Sequence, residues 1–355
     1  MELNLIIDYL ILSIFVSMAV NSILRNYAKN KKILIDIPDR SRKFHKRPTP
    51  LTGGLGIFIA LLISGKFYMD FNDLSGYLPE FTFHLMVSSV VLVGVFLVDD
   101  IKGLKASSRL LIQILLSLYI IFITNISLNN LGDLFGFGNI YLGVFSIPFT
   151  VFCVVGIMNA FNMIDGINGL CSGYSMTALL LMGFFSGLIY NSLMVIFIGS
   201  ILGFFLFNLR FFGKRRAVFL GDHGSNLLGF WVAWTAIYCS QNNFNSIEPI
   251  TIIWFVAIPL LDCIGLIFSR AKQKISLSSP GRDHIHHKLM NKFSSEGTLI
   301  IIISIGLLSG LFAIHLENNY SAWVSTLMFL VYSFTYYMYA YYFSRRAKNI
   351  GKANV

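Results

Sequence analysis

The run SIPFTVFCVVGIM (146–158) carries no charge, and runs like it recur from one end of the chain to the other. A helix needs around 20 mostly apolar residues to cross about 30 Å of hydrocarbon, and in lipid its backbone groups must be satisfied within the segment. A chain written this way folds as helices in a bilayer. Composition agrees: 55% of the 355 residues are hydrophobic and 12% charged, against roughly a quarter charged residues in soluble domains. Cys153, Cys171, Cys239 and Cys263 stand singly in apolar runs with no CxxC pair, which argues against a disulfide framework and a thiolate zinc site.

The expected fold is an all-α integral membrane protein of about 11 transmembrane helices. They fall near 3–24, 51–69, 82–98, 106–127, 144–161, 170–189, 192–212, 224–240, 249–269, 298–316 and 320–343. The opening MELNLIIDYLILSIFVSMAV has acids but neither a basic n-region nor a small-residue cleavage site, so it reads as a retained span. With no internal repeat, residues 1–355 read as a single multi-span domain. Its polar motifs lie in about 36–290, and the last two spans complete the bundle.

Of the 27 Lys and Arg, 26 sit in alternate loops, at 25–50, 102–109, 210–216, 270–292 and 345–352. The intervening loops hold Asp70, Asp73, Glu80, Asp133, Glu248 and Glu317, with Lys66 the one nearby base. By the positive-inside rule the basic loops are cytoplasmic, the amino terminus lies outside and the carboxyl terminus inside. The net charge of +10 is then one basic face along a membrane, and no nucleic-acid footprint is implied.

Five polar stretches interrupt the apolar pattern, all on that face: PDRSRKFHKRPTPLTGG (38–54), VDDIKGLK (98–105), NAFNMIDGINGL (159–170), FLGDHGSN (219–226) and SSPGRDHIHHKL (278–289). Asn159, Asn162 and Asp165 are three apart and share one side of a helix end. A plain helix C-cap needs one polar residue; this patch offers oxygen ligands for a hard cation such as Mg²⁺, with glycines for close approach to phosphate. Asp99 and Asp100 are adjacent carboxylates, suited to a metal ion or to handling a nucleophile. Asp222 precedes the eighth span, where Ser225 is the expected N-cap and free amides attract anions. Asp262 lies inside an apolar run, a functional candidate by default, while Pro259 beside it suggests a broken helix whose backbone it would satisfy. Arg282, His284, His286 and His287 share a loop that suits a dense anion; a zinc site is conceivable, but the spacing is not HExxH. Gly53 and Gly54, after two threonines, again suit phosphate at a helix start. The set describes phosphoryl transfer between a soluble and a membrane-borne substrate.

Through RKFHKRPTPLTGG, VDD, NAFNMIDGINGL, GDHGS, PLLD (259–262) and RDHIHH, in this order, the chain resembles the polyprenyl-phosphate N-acetylhexosamine-1-phosphate transferases (glycosyl transferase family 4). The small-sugar branch that starts O-antigen and other cell-envelope polysaccharides is the nearer one. The peptidoglycan translocase that moves phospho-MurNAc-pentapeptide is the alternative, and a secondary transporter a more distant one. The resemblance implies a bacterial inner-membrane enzyme with its active site at the cytoplasmic face. Undecaprenyl phosphate would attack the β-phosphate of a UDP-N-acetylhexosamine, GlcNAc by default, and UMP would leave. It implies Mg²⁺, with Mn²⁺ as a substitute, held by Asp222 and Asn162 with Asp165 close by. Asp99 and Asp100 would face the acceptor phosphate. Arg282, His284, His286 and His287 would hold the sugar diphosphate, with Asn159 and Asn168 on the same wall, while Lys43, His45, Gly53 and Gly54 would reach phosphate from the first loop. Membrane lipids are the surroundings, and a homodimer is left open. Direct displacement competes with a phospho-aspartate on Asp99 or Asp100. The chain departs from its relatives at Gly103, where many have an acid or lysine, at Asn168 in place of an acid, and at His223 in place of a small residue.

Overall fold

Apolar runs of this length give helices in a computed structural model of the protein, which describes residues 3–38, 47–71, 80–241, 246–274 and 283–353. In chain order these are α1 (Leu3–Lys31), α2 (Gly53–Phe71), α3 (Glu80–Lys102), α4 (Ala106–Thr124), α5 (Ser146–Ile164), α6 (Leu170–Phe185), α7 (Ser192–Asn208) and α8 (Asp222–Gln241). Then follow α9 (Pro249–Phe255), α10 (Ala257–Gln273), α11 (Ile285–Met290), α12 (Ser295–Asn319) and α13 (Ala322–Ala353). Each of the 11 expected spans coincides with helix. Among the described residues, six helices are long and apolar enough by themselves to cross a membrane, or seven if α9 and α10 count as one span; α6 and α7 are apolar but shorter. The architecture is that of an all-α membrane protein.

The expected ninth span is broken, with α9 and α10 bent by 82°. Pro259 explains the place: its ring has no N–H and crowds the carbonyl four residues back, at Phe255, where α9 ends.

Small residues set the packing, as they do where lipid offers no hydrophobic drive between helices. Side chains at Gly199 and Gly203 of α7 would strike Ser13 and Ser17 of α1, and one at Gly229 of α8 would meet Met158 of α5. Where the helices touch closely, polar groups bond across them: Ser17 Oγ donates to Ser200 O (2.6 Å) and Trp231 Nε1 to Ser89 Oγ (2.9 Å). One apolar core runs through residues of α1 to α12.

Because short loops reverse the chain, one end of the bundle collects the carboxyl ends of α3, α5 and α7 and the amino ends of α2, α4, α6 and α8. A two-stranded antiparallel ladder, β1 (Ile35–Asp36) with β2 (Thr49–Pro50), lies there, and Leu51 bridges Phe219 in parallel. Four of the five polar stretches have described residues that meet around this end through hydrogen bonds and a common cavity, and β2 carries the fifth to it.

Candidate active site

The cavity at this end has a volume of about 610 Å³. Its wall carries Asp100 from the end of α3, Asp165 and Asn168 from the loop after α5, Asp222 at the start of α8, and His287 in α11. Residues nearly 190 positions apart therefore face one space, large enough for a drug-sized or nucleotide-sized ligand.

Its negative charge is in surplus. Burial, then the neighbouring Asp222 and Asp100 carboxylates, push the Asp165 carboxyl up to about 7. Arg109 offsets part of the rest: its Nε lies 2.8 Å from Asp99 Oδ2 and its Nη1 3.3 Å from Asp222 Oδ2. Asp99 is itself buried, and its other oxygen accepts Leu104 N–H at 2.6 Å. Its position behind Asp100 departs from the expectation that both acids face an acceptor. Adjacent residues on a helix point about 100° apart, so one carboxylate turns to the cavity and one to Arg109.

Asp100 has a second task. Its Oδ1 accepts the N–H of Asp222 (3.0 Å) and its Oδ2 that of His223 (3.3 Å), the unpaired amides of the first turn of α8. The cap of α8 thus comes from another helix. Ser225, expected as the N-cap, lies inside the first turn and donates instead to Asn162 Oδ1 at 2.8 Å. His223, fully buried, bonds Asp100 through Nδ1 and does not line the cavity, so it offers no direct donor to a diphosphate.

The expected shared wall of Asn159, Asn162 and Asp165 divides with depth. Asp165 reaches the cavity; Asn162 is one turn deeper and holds Ser225. Asn159, deeper still, donates to Gln113 Oε1 (2.9 Å), whose Nε2 donates to Asn226 Oδ1 (2.7 Å), tying α5, α4 and α8 together. Gly169, in the left-handed region at φ 82°, turns the chain into α6, and its N–H is taken by Asn208 Oδ1.

The histidines also separate. His284 Nδ1 lies 2.8 Å from Asp262 Oδ2, and Asp262 Oδ1 accepts Ile285 N–H (2.9 Å) and the Tyr336 hydroxyl (3.2 Å). Asp262 therefore anchors the histidine segment, and the helix break beside Pro259 does not use it. His286 is buried against Gly166, where any side chain would strike its ring. Burial, with His287 and His284 beside it, holds its imidazole far below the usual pKa, so it brings no charge to an anion. Only His287 of the three lines the cavity.

Gly53 and Gly54 do not present free amides to phosphate. Their N–H groups donate to Phe219 O and Leu220 O, both at 2.9 Å, and side chains there would strike Phe204 and Gly224. They are glycines because the start of α2 lies directly on the segment before α8. Lys43, His45 and Arg282 lie outside the described residues. Among the described residues no cluster of three or more His, Cys, Asp or Glu forms a ready metal cage. Sequence reading passed over Arg109 and Asn208, and also Asp36, Arg210 and Glu296, which line the cavity. Arg109 left one trace, a charge inside the first turn of an apolar span.

A model of glycosyl transferase family 4 matches residues 82–240, the stretch from α3 to α8 that carries Asp99, Asp100, Asp165 and Asp222. Undecaprenyl-phosphate alpha-N-acetylglucosaminyl 1-phosphate transferase of Salmonella typhi is 32% identical over 348 residues, covering 95% of this chain and 91% of its own. The chain belongs to glycosyl transferase family 4. Proteins of the same name from Yersinia pestis (34% identical; 76% of this chain, 73% of its own) and Haemophilus influenzae (30%; 90% and 93%) agree. For a family 4 protein the cavity is in the expected part of the chain, since its matched segment supplies every carboxylate but Asp36 and Glu296.

Proposed function

We propose that the protein transfers N-acetylglucosamine 1-phosphate from UDP-GlcNAc to undecaprenyl phosphate, giving undecaprenyl-diphospho-GlcNAc and UMP. This would start O-antigen or a related cell-envelope polysaccharide. The observation that carries the reading is the cavity in which Asp100, Asp165, Asp222 and His287 converge, in a chain 30–34% identical to transferases named for that product. On this reading eleven spans cross the bacterial inner membrane, and the positive-inside rule puts the cavity in the cytoplasm, where UDP-sugars are.

An oxygen of the lipid phosphate attacks the β-phosphorus of the UDP-sugar as the bond to the UMP oxygen breaks. A phosphate monoester has a second pKa near 6, so the attacking group is already largely ionised at neutral pH. Positioning and charge neutralisation are then what the protein supplies. The geometry favours direct displacement, because both oxygens of Asp100 accept N–H groups and Asp99 is paired with Arg109. Neither is a free nucleophile.

Mg²⁺ fits the donor set: Asp165 and Asp222 face the cavity with surplus negative charge, and this ion commonly takes one or two carboxylates plus substrate phosphates. Bound there, it would neutralise the diphosphate. Asn162 sits behind Asp222, its Oδ1 engaged by Ser225, and steadies that wall. The deciding assay gives purified protein undecaprenyl phosphate, Mg²⁺ and a panel of labelled UDP-sugars. Label from UDP-GlcNAc should enter the organic phase with UMP release, and EDTA should stop it. A folded protein that transfers from no donor would sink the reading; transfer from another donor alone would change the sugar.

A further inference from the structure

His223 follows Asp222 in the first turn of α8. Its imidazole is completely buried, lies against Gly54 on one side and Gly221 on the other, and does not itself line the cavity. A side chain at either glycine would meet the ring, at 2.8 Å from Cδ2 for Gly54 and 2.6 Å from Cε1 for Gly221. Gly221 has φ +79°, which lets the backbone turn under the imidazole. The ring thus fills a slot bounded by backbone on both sides. Its Nδ1 bonds Asp100 Oδ2, while Nε2 has no hydrogen-bond partner among the described residues. With no acceptor elsewhere, the proton belongs on Nδ1 and points at the carboxylate.

Asp100 consequently receives three N–H donors: the amide of Asp222 on Oδ1, and the amide and ring of His223 on Oδ2. The two backbone donors alone would hold the carboxylate to α8 but leave its plane free to rock about them. The third, from a ring that cannot turn, fixes the plane. We propose that His223 is a positioning residue for the transfer reaction. It acts through Asp100, fixing the carboxylate that faces the substrates so that its spacing from Asp165 and Asp222 is set before substrates arrive. This rests on the transferase reading above.

The test compares His223→Asn, which keeps an N–H donor near the Nδ1 position, with His223→Leu and His223→Met, which fill the slot without one. Each full-length variant is purified in detergent, checked for fold by size exclusion and thermal unfolding, and assayed with UDP-GlcNAc and undecaprenyl phosphate. Loss of a charge-assisted hydrogen bond predicts that kcat falls about 10- to 100-fold in the Leu and Met variants. KM for the UDP-sugar should stay within about twofold, because His223 does not touch the cavity. The Asn variant should recover most of kcat. Leu or Met variants with more than half of the wild-type kcat would overturn the proposal, as would Asn falling as far as Leu. Wild-type protein that transfers nothing would instead sink the transferase reading, and this role with it.

Discussion

The two ends of the bundle are both polar, and they use polarity in opposite ways. Away from the cavity, Gln241 at the end of α8 closes on the 125–145 loop. Its Oε1 accepts Asn129 N–H (3.0 Å) and Asn130 N–H (3.1 Å), and its Nε2 donates to Asn130 O (2.9 Å). Nearby, Asp133 Oδ1 accepts the amides of Gly136 and Gly138, and Ser146 Oγ donates to Leu128 O. Each of these donors meets an acceptor from the chain itself. At the other end, five carboxylates line one cavity, and both ring nitrogens of the nearby His286 have no partner among the described residues. Polarity that closes on itself holds a fold together. Polarity left with surplus charge costs stability, and it persists where a ligand completes it.

The largest effect should come from Asp222→Asn. Removing one of two cavity carboxylates suited to a cation should lower transfer by at least about 1000-fold. Thermal stability should hold or rise, because Asp222 sits among Asp100 and Asp165 and their repulsion is relieved. Label transfer and thermal unfolding on the same preparation decide it. A parallel fall in both would place Asp222 with the self-satisfied polarity of the other end.

Gly166→Ala comes next. The new methyl group would meet the His286 ring, which lies tilted against His287 at a centroid separation of 4.1 Å. Displacing α11 should carry His287 from the cavity wall, raising KM for the UDP-sugar and lowering kcat/KM roughly 10-fold, while overpacking costs about 1–3 kcal/mol of stability. Unchanged kinetics would show that α11 yields freely and that His287 is not part of the donor site.

A smaller signature belongs to the proton on Asp165. Between the ordinary aspartate value and about 7, the folded chain holds this proton and the unfolded chain has lost it. With more protons bound in the folded state, stability without a cation falls as pH rises through that window. A dication at Asp165 reverses the preference. Mg²⁺ binding at pH 6 should therefore release about one proton, fading by pH 8. Titration calorimetry in two buffers of different ionisation enthalpy reads this number, and Asp165→Asn should abolish it. Heats independent of buffer would mean that Mg²⁺ does not meet this carboxylate.

The helices and the convergence of the motifs were legible in the sequence because lipid imposes length and polarity so strictly. Each run of apolar residues is a helix, and even the break near Pro259 left a signal. Roles were less legible, because spacing along a helix says which side a residue takes and not what stands opposite. Asn159 and Asp165 looked alike until depth separated a bond to Gln113 from a place on the cavity wall. Gly53 and Gly54 suggested phosphate but serve a backbone crossing that only the third dimension supplies. The histidines read as one anion-binding group, yet Asp262, more than twenty residues away, claims His284 and packing claims His286. Arg109 was passed over for the same reason, since its partners Asp99 and Asp222 are set by folding.

The smallest effect on activity, and the sharpest test of the contrast, is Gln241→Ala. It removes three hydrogen bonds to the 125–145 loop while touching nothing at the cavity. Their loss, partly made good by water at this exposed end, should cost about 1–3 kcal/mol. The melting temperature should drop by a few degrees, with transfer at a temperature well below it staying within about twofold of wild type. The same substitution logic gives the reverse pattern at Asp222, where activity should vanish and stability persist. If Gln241→Ala instead lowered transfer tenfold in a protein of undiminished stability, the loop would be coupled through α8 to the first turn that Asp100 caps, and the two ends would have to be treated as one device.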